Sequence, residues 1–195
     1  LVNQAKAAGA GVIKFQTYKT ENLVLSAHKQ ALYQIRSMRT KSSHFEMLKS
    51  LELDFPSHIE IAEHCRDTGI EYLSSAFDFI SLDFLVKTLG LRRLKVASGE
   101  LNNLPFLLKH AQTGCDLIVS TGMASLAEIE EALSVISFGY LDPKAKPCSD
   151  AFAEAYASNE AREILADKVT LLHCTSEYPA PIEHINLKAI KTLKT

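Results

Sequence analysis

The sequence predicts an α/β fold: a partial (β/α)8 TIM barrel with about five of its eight strands, truncated at both ends. Three observations lead there. Apolar, β-branched runs alternate with amphipathic stretches; each run closes on polar residues; and neither G-x-G-x-x-G nor G-x-x-x-x-G-K-[ST] follows any of them. Alternation of strand and helix means parallel strands joined by right-handed crossovers. An open doubly wound sheet and a barrel share that rhythm, and strand spacing does not separate them. Polar groups at every strand end favour the barrel, in which those ends converge on one mouth.

The elements follow in order. Residues 1–8 before Gly9 read as the last turns of a helix closed by glycine. Residues 12–17 form a strand, and residues 18–56 a long connection on the strand-exit side. A helix over 57–68 carries Ile59, Ile61, Ala62 and Cys65 on one face, with Ser57 as N-cap and Gly69 as stop. Residues 70–75 form the next strand, ending in Ser74 and Ser75, and a helix over 81–89 stops at Gly90. The third strand, 94–98, leads into Gly99 and Glu100, and the fourth, 117–121, ends in Ser120 and Thr121. Ser125 with Glu128 makes a capping box for a helix over 125–136 that is expected to stop at Gly139. An insert over 140–168 belongs on the face opposite the mouth. The fifth strand is 169–175, and a helical pattern fills 185–193. Such a chain is expected to be one segment of a longer barrel domain.

Composition narrows the function. Twenty-one Lys and Arg face 23 Asp and Glu, a formal net charge of −2, which gives no field for nucleic acid or an anionic membrane. No apolar run approaches the roughly 20 residues of a membrane span. Cys65, Cys115, Cys148 and Cys174 are far apart and without zinc spacing, as expected of reduced thiols in a cytoplasmic protein.

The connection after the first strand holds six basic residues (Lys19, Lys29, Arg36, Arg39, Lys41, Lys49) against Glu21 and Glu46 over 19–49. It is either a substrate wall suited to an anion or a solvated charged loop. Lys14 and Lys95 each stand within an apolar strand, where a lysine is costly to bury without a negative partner or ligand, although a snorkelling edge-strand lysine fits the same pattern. Gln16 shares the face of Lys14. Ser98-Gly99-Glu100 and Ser120-Thr121-Gly122 place a hydroxyl before a glycine, a turn that lets backbone approach an oxyanion. Glu100 could orient a sugar hydroxyl or move a proton. Beyond His173, Ser176 and Tyr178 lie where barrel sites collect side chains, stiffened by Pro179 and Pro181.

Lys14-Phe15-Gln16-Thr17, Lys95-Val96-Ala97-Ser98-Gly99-Glu100-Leu101-Asn102-Asn103, Ser120-Thr121-Gly122-Met123 and Leu172-His173-Cys174-Thr175-Ser176-Glu177-Tyr178-Pro179 together resemble the sialic acid synthases, the N-acetylneuraminate synthase group with its legionaminate and pseudaminate relatives. The resemblance implies condensation of phosphoenolpyruvate with N-acetylmannosamine or a related N-acetylated hexosamine, with C–O cleavage and release of phosphate. It implies phosphoenolpyruvate on Lys14, Ser75, Lys95, Ser98, Ser120 and Ser176, and sugar on Gln16, Glu100 and Tyr178, with Glu100, Lys14 and Lys95 as the catalytic set. Ser75 and Ser176 depart from the Thr and Asn common in that group. It further implies a divalent metal, Mn or Mg, on ligands outside this chain, a homodimer when full length, and a C-terminal antifreeze-like domain that these residues do not include. A Schiff-base aldolase using Lys14 or Lys95 is the rival enzyme, and an inactive sugar-binding or structural fragment the non-enzymatic alternative.

Overall fold

In the computed structural model the described residues are 1–24, 43–175 and 179–194. They fall into two compact units, Leu1–Leu89 and Gly90–Thr195.

The first unit runs α1 (Val2–Ala7), β1 (Val12–Thr17), α2 (Thr20–Leu23), α3 (His44–Leu51), α4 (Phe55–Thr68), β2 (Glu71–Ala76) and α5 (Phe79–Asp83), the last continuing as a π-helical turn, Phe84–Thr88. β1 and β2 pair in parallel, with Gln16 level with Ser75 and Phe15 level with Ser74. Alternate residues of a strand point to opposite faces, so one face carries Lys14, Gln16, Leu73 and Ser75. The other packs Phe15 on Tyr72, rings 5.4 Å apart. Beneath them the buried His58 Nδ1 lies 2.8 Å from the Tyr72 hydroxyl, and Phe55 stacks on Phe84 at 4.1 Å.

Helix starts in this unit differ from the sequence reading. α4 begins at Phe55, because the Asp54 carboxylate accepts from the Ser57 amide at 2.8 Å and Pro56 occupies a first-turn position that needs no N–H. Ser57 is therefore inside the first turn and is not the cap. In the same way Asp78 caps α5 through the Ser81 amide at 2.7 Å, so the helix opens two residues before 81. The stops agree: Gly69 has φ +70° and Gly90 φ +68°, the left-handed conformation that ends a helix.

A carboxylate anchors the chain as it leaves β1. Glu52 accepts the Thr20 amide at 2.9 Å and its hydroxyl at 2.7 Å, with Lys49 at 3.1 Å and Lys19 at 3.4 Å. Its side chain is only 9% exposed. Desolvation by itself would raise the Glu52 pKa; the Thr20 hydrogen bonds and the two ammonium groups outweigh it and hold the group down to about 2. Lys19 also lies 4.5 Å from the centre of the Phe55 ring, and its amide donates to Asp78 at 2.9 Å. Two of the six basic residues of this connection, read as either a substrate wall or a solvated loop, thus have acidic partners: Lys19 and Lys49 bind Glu52, and Lys49 also binds Glu21 at 2.9 Å. The other four, Lys29, Arg36, Arg39 and Lys41, lie outside the described residues.

The second unit runs β3 (Arg93–Val96), a 3-10 turn (Ser98–Glu100), α6 (Leu104–Gln112), β4 (Asp116–Ser120), α7 (Leu126–Leu141), α8 (Ser149–Ala157), α9 (Asn159–Lys168), β5 (Val169–Leu172), a 3-10 turn (Ile182–His184) and α10 (Ala189–Leu193). Its strands are parallel in chain order, with Lys95 level with Ile118 and Ser120 level with Leu172. Leu94, Val96, Leu117 and Val119 are buried, as are Phe106 and Leu107 of α6 and Val135 and Ile136 of α7. β5 is shorter than predicted. β4 ends at Ser120, and both the amide and the hydroxyl of Thr121 donate to the Leu172 carbonyl at 3.0 Å, which closes the ladder before His173. The expected helix over 185–193 is also shorter, because Ile185 is extended (φ −86°, ψ 99°) and separates the 3-10 turn from α10.

Ser125 and Glu128 form the predicted capping box of α7. Gly139, read as the stop, instead lies inside α7 and is buried. A Cβ there would come within 2.6 Å of Ala111 Cβ and 3.2 Å of the Leu108 carbonyl oxygen, so the glycine serves the close approach of α6 and α7. The insert forms α8 and α9 against α7, with Phe152 on Phe138 at 5.1 Å. Lys168 at its end binds Asp116 at 3.1 Å and the Gly114 carbonyl at 3.3 Å, at the start of β4 and therefore opposite Ser120, as expected. None of the described helices is long and apolar enough to cross a membrane.

Two outcomes follow from this packing. Glu52→Gln should lower stability at pH 7 by about 2 kcal/mol, as charge-assisted bonds to Thr20 and the lysines are lost. Because the folded pKa of about 2 lies below the ordinary 4.5, the stabilisation is complete above pH 4.5 and lost as pH falls toward 2; urea unfolding of wild type and variant should converge over that range. Gly139→Ala should destabilise by about 1–2 kcal/mol in the same assay, since overpacking outweighs the roughly 1 kcal/mol gain in helix propensity.

Candidate functional site

In the second unit the polar groups meet at the strand exits. Register puts Lys95 level with Ile118, and Ser120 is two residues further along the same face. The Lys95 ammonium spans that offset, donating to Ser120 Oγ at 2.5 Å and to the Val96 carbonyl at 2.6 Å. Cys174 Sγ donates to the same oxygen at 3.0 Å. Cys174 was not among the predicted site residues. No local sequence signal marks it, since its place depends on Leu172 standing level with Ser120, a pairing that only the fold shows.

Ser98 opens the 3-10 turn beyond β3 and lies against Gly122. Gly122 has φ +47°, and a Cβ there would overlap Ser98 Cβ and come within 2.7 Å of Ser98 Oγ. Only glycine admits both that backbone conformation and that contact. A cavity of about 170 Å³ beside this contact is lined by Ser98, Gly99, Asn102, Met123 and Glu128, among others. Glu100 is half-buried, and its carboxylate accepts from Asn103 Nδ2 at 2.9 Å.

In the first unit Lys14, Gln16 and Ser75 share one face of β1 and β2, with Gln16 directly beside Ser75. The Lys14 side chain reaches solvent, while the surrounding strand atoms desolvate the ammonium and lower its pKa. Ser74, on the opposite face, is 2.8 Å from Thr17 Oγ1 in the core. The two serines near the end of β2 are both buried but face opposite ways: Ser74 fastens the strands, and Ser75 lies beside Gln16.

Ser176 and Tyr178 lie outside the described residues. His173 follows β5 and is not on it. Its Nε2 is buried with no partner among the described residues, and it lines a cavity of about 360 Å³ together with Leu126 and Ile129 of α7 and with Ala189 of α10. It thus faces the helices and not the Lys95–Ser120 face. All four cysteines are free thiols; Cys65 and Cys115 are buried, and Cys148 is exposed. Among the described residues no group of three or more His, Cys, Asp and Glu could hold a metal ion.

Comparison with known proteins gives a consistent picture. N,N'-diacetyllegionaminic acid synthase of Campylobacter jejuni is 39% identical over 194 residues, covering 100% of this chain and 51% of that protein. The enzyme of the same name from Legionella pneumophila is 40% identical over 193 residues, covering 99% of this chain and 48% of its own length. The chain therefore spans about half the length of these relatives. The crystal structure of the N-acetylneuraminic acid (sialic acid) synthetase of Leptospira borgpetersenii superposes with a TM-score of 0.70 at 27% identity, over 99% of this chain and 53% of that one. Parallel strands alternating with helices, on that likeness, are the partial (β/α) barrel that the sequence predicts. The sequence model of the NeuB family matches residues 1–195, from the first residue to the last, and the chain belongs to that family.

Proposed function

We propose that the full-length protein is a nonulosonic acid synthase, condensing phosphoenolpyruvate with N-acetylmannosamine or a related N-acetylated hexosamine and releasing phosphate. The observation that carries this reading is the Lys95 ammonium held 2.5 Å from Ser120 Oγ at the exits of β3 and β4, a fixed positive charge beside a hydroxyl. Such a pair suits a small, multiply charged anion. Membership of the NeuB family, and relatives named as legionaminic acid synthases, supply the reaction class.

In this reading Lys95, Ser98 and Ser120 hold the phosphoenolpyruvate anion in register, with the Gly122 turn letting backbone come close. Lys14 is assigned to the same substrate, and Gln16, Glu100 and Tyr178 to the sugar, by their match to the family motifs; Ser75 and Ser176 are assigned to phosphoenolpyruvate by position, as hydroxyls standing where the family commonly has Thr and Asn. The substrate C3 forms a bond to the sugar aldehyde carbon, whose oxygen takes up a proton. Water then adds at the cationic C2, and the C–O bond to phosphate breaks, leaving the 2-keto acid and inorganic phosphate. The described residues do not form a metal site, so no step here is assigned to a metal; the divalent ion expected of the family belongs, in this proposal, to residues outside the chain. A cytoplasmic homodimer is part of the same proposal.

Lys95→Met in the full-length enzyme should raise the KM for phosphoenolpyruvate about tenfold to a hundredfold, the value of one charge-assisted contact, while the KM for the sugar stays within about twofold. Equal effects on both substrates would remove Lys95 from the anion site. Phosphoenolpyruvate labelled in its bridging oxygen should deliver the label to inorganic phosphate, as C–O cleavage requires. Label retained in the sugar acid would mean attack at phosphorus and would overturn the mechanism.

A further inference from the structure

We propose that Cys174 is a positioning residue that fixes the direction of the Ser120 hydroxyl, turning its proton outward toward an anionic oxygen of the substrate. The inference rests on the anion-site reading of Lys95 and Ser120 and adds a residue that this reading does not use. A serine oxygen has two lone pairs and one proton. One lone pair receives the Lys95 ammonium at 2.5 Å, and an ammonium can only donate. The other receives the Cys174 thiol at 3.0 Å. With both lone pairs engaged, the hydroxyl proton takes the one remaining direction.

Neighbouring groups sharpen the assignment. Thr121, the other hydroxyl of this strand exit, spends its proton on the Leu172 carbonyl at 3.0 Å, so Ser120 is the one of the pair left to serve as donor. Ser120 is only 4% exposed, which leaves little room for water to reorient it. The chain path produces the arrangement: Ser120 is level with Leu172, the last residue of β5, and Cys174 follows two residues beyond it. A thiol suits the position because its long C–S bond reaches the serine while its weak acceptor character leaves the hydroxyl proton for the ligand.

Two measurements on the full-length protein test this separately from the reaction itself. The first needs no substrate: the infrared S–H stretch of Cys174, assigned by its loss in Cys174→Ala, should move to higher frequency in Ser120→Ala, where the acceptor is gone. An unmoved band would show that the thiol does not donate to Ser120 and would overturn the proposal. The second is calorimetric titration with phosphoenolpyruvate. Cys174→Ala should weaken binding about fivefold to tenfold, as one ordering hydrogen bond is lost, and Cys174→Ser, which restores a donor, should recover most of it, with sugar KM and thermal midpoint unchanged in both. Equal affinity in wild type and Cys174→Ala would overturn the positioning role. Failure of the wild type to bind phosphoenolpyruvate would instead overturn the function proposed above, and a shifted S–H band would then still mark the Cys174–Ser120 bond.

Discussion

Pairing of β3 with β4 sets Lys95 level with Ile118, and two features of the second unit follow from that one register. Leu94, Val96, Leu117 and Val119 fall on the face covered by α6 and α7 and are buried. Lys95 and Ser120 fall on the other face and meet there. A slip of one residue would send the lysine among the helices and the valines out of them, an exchange that the burial of four aliphatic side chains forbids. β5, paired beside β4 up to Leu172, delivers Cys174 two residues later to Ser120. Core and candidate site are thus two sides of one hydrogen-bonding pattern.

Close approach of backbone is the second theme, and glycine serves it in two ways. Gly122 combines a left-handed conformation with contact against Ser98, so that the exits of β3 and β4 touch. Gly139 has no conformational demand; it is helical, and it is there because Ala111 and Leu108 leave no space for a methyl group. A sequence reading that takes each glycine near a helix end as a stop is right for Gly69 and Gly90 and wrong for Gly139, since helix-to-helix spacing is not written in the local pattern.

Ionic groups in the first unit are used for anchoring. Glu52 gathers Thr20, Lys19 and Lys49 around one nearly buried carboxylate, tying α2 and the end of α3 to the chain leaving β1. Lysines that look like a positive wall in sequence order therefore include two whose charge is already answered. Lys14, by contrast, has no carboxylate paired with it among the described residues, and the strands around it desolvate its ammonium and lower its pKa.

The sequence by itself determined the order of strands and helices, the parallel sense of the sheet, the capping box at Ser125 and the polar strand exits, because hydrophobic period, caps and turn residues act over a few neighbours. It also carried the family motifs that name Lys14, Lys95, Ser98 and Ser120. Tertiary structure alone decided which serine of the pair at 74 and 75 is spent in the core, that Lys95 reaches Ser120, that His173 turns toward the helices, and that Cys174 joins the polar face. Each of these depends on which residues of two strands stand level, and register is set by the packing of whole faces, which no single segment specifies.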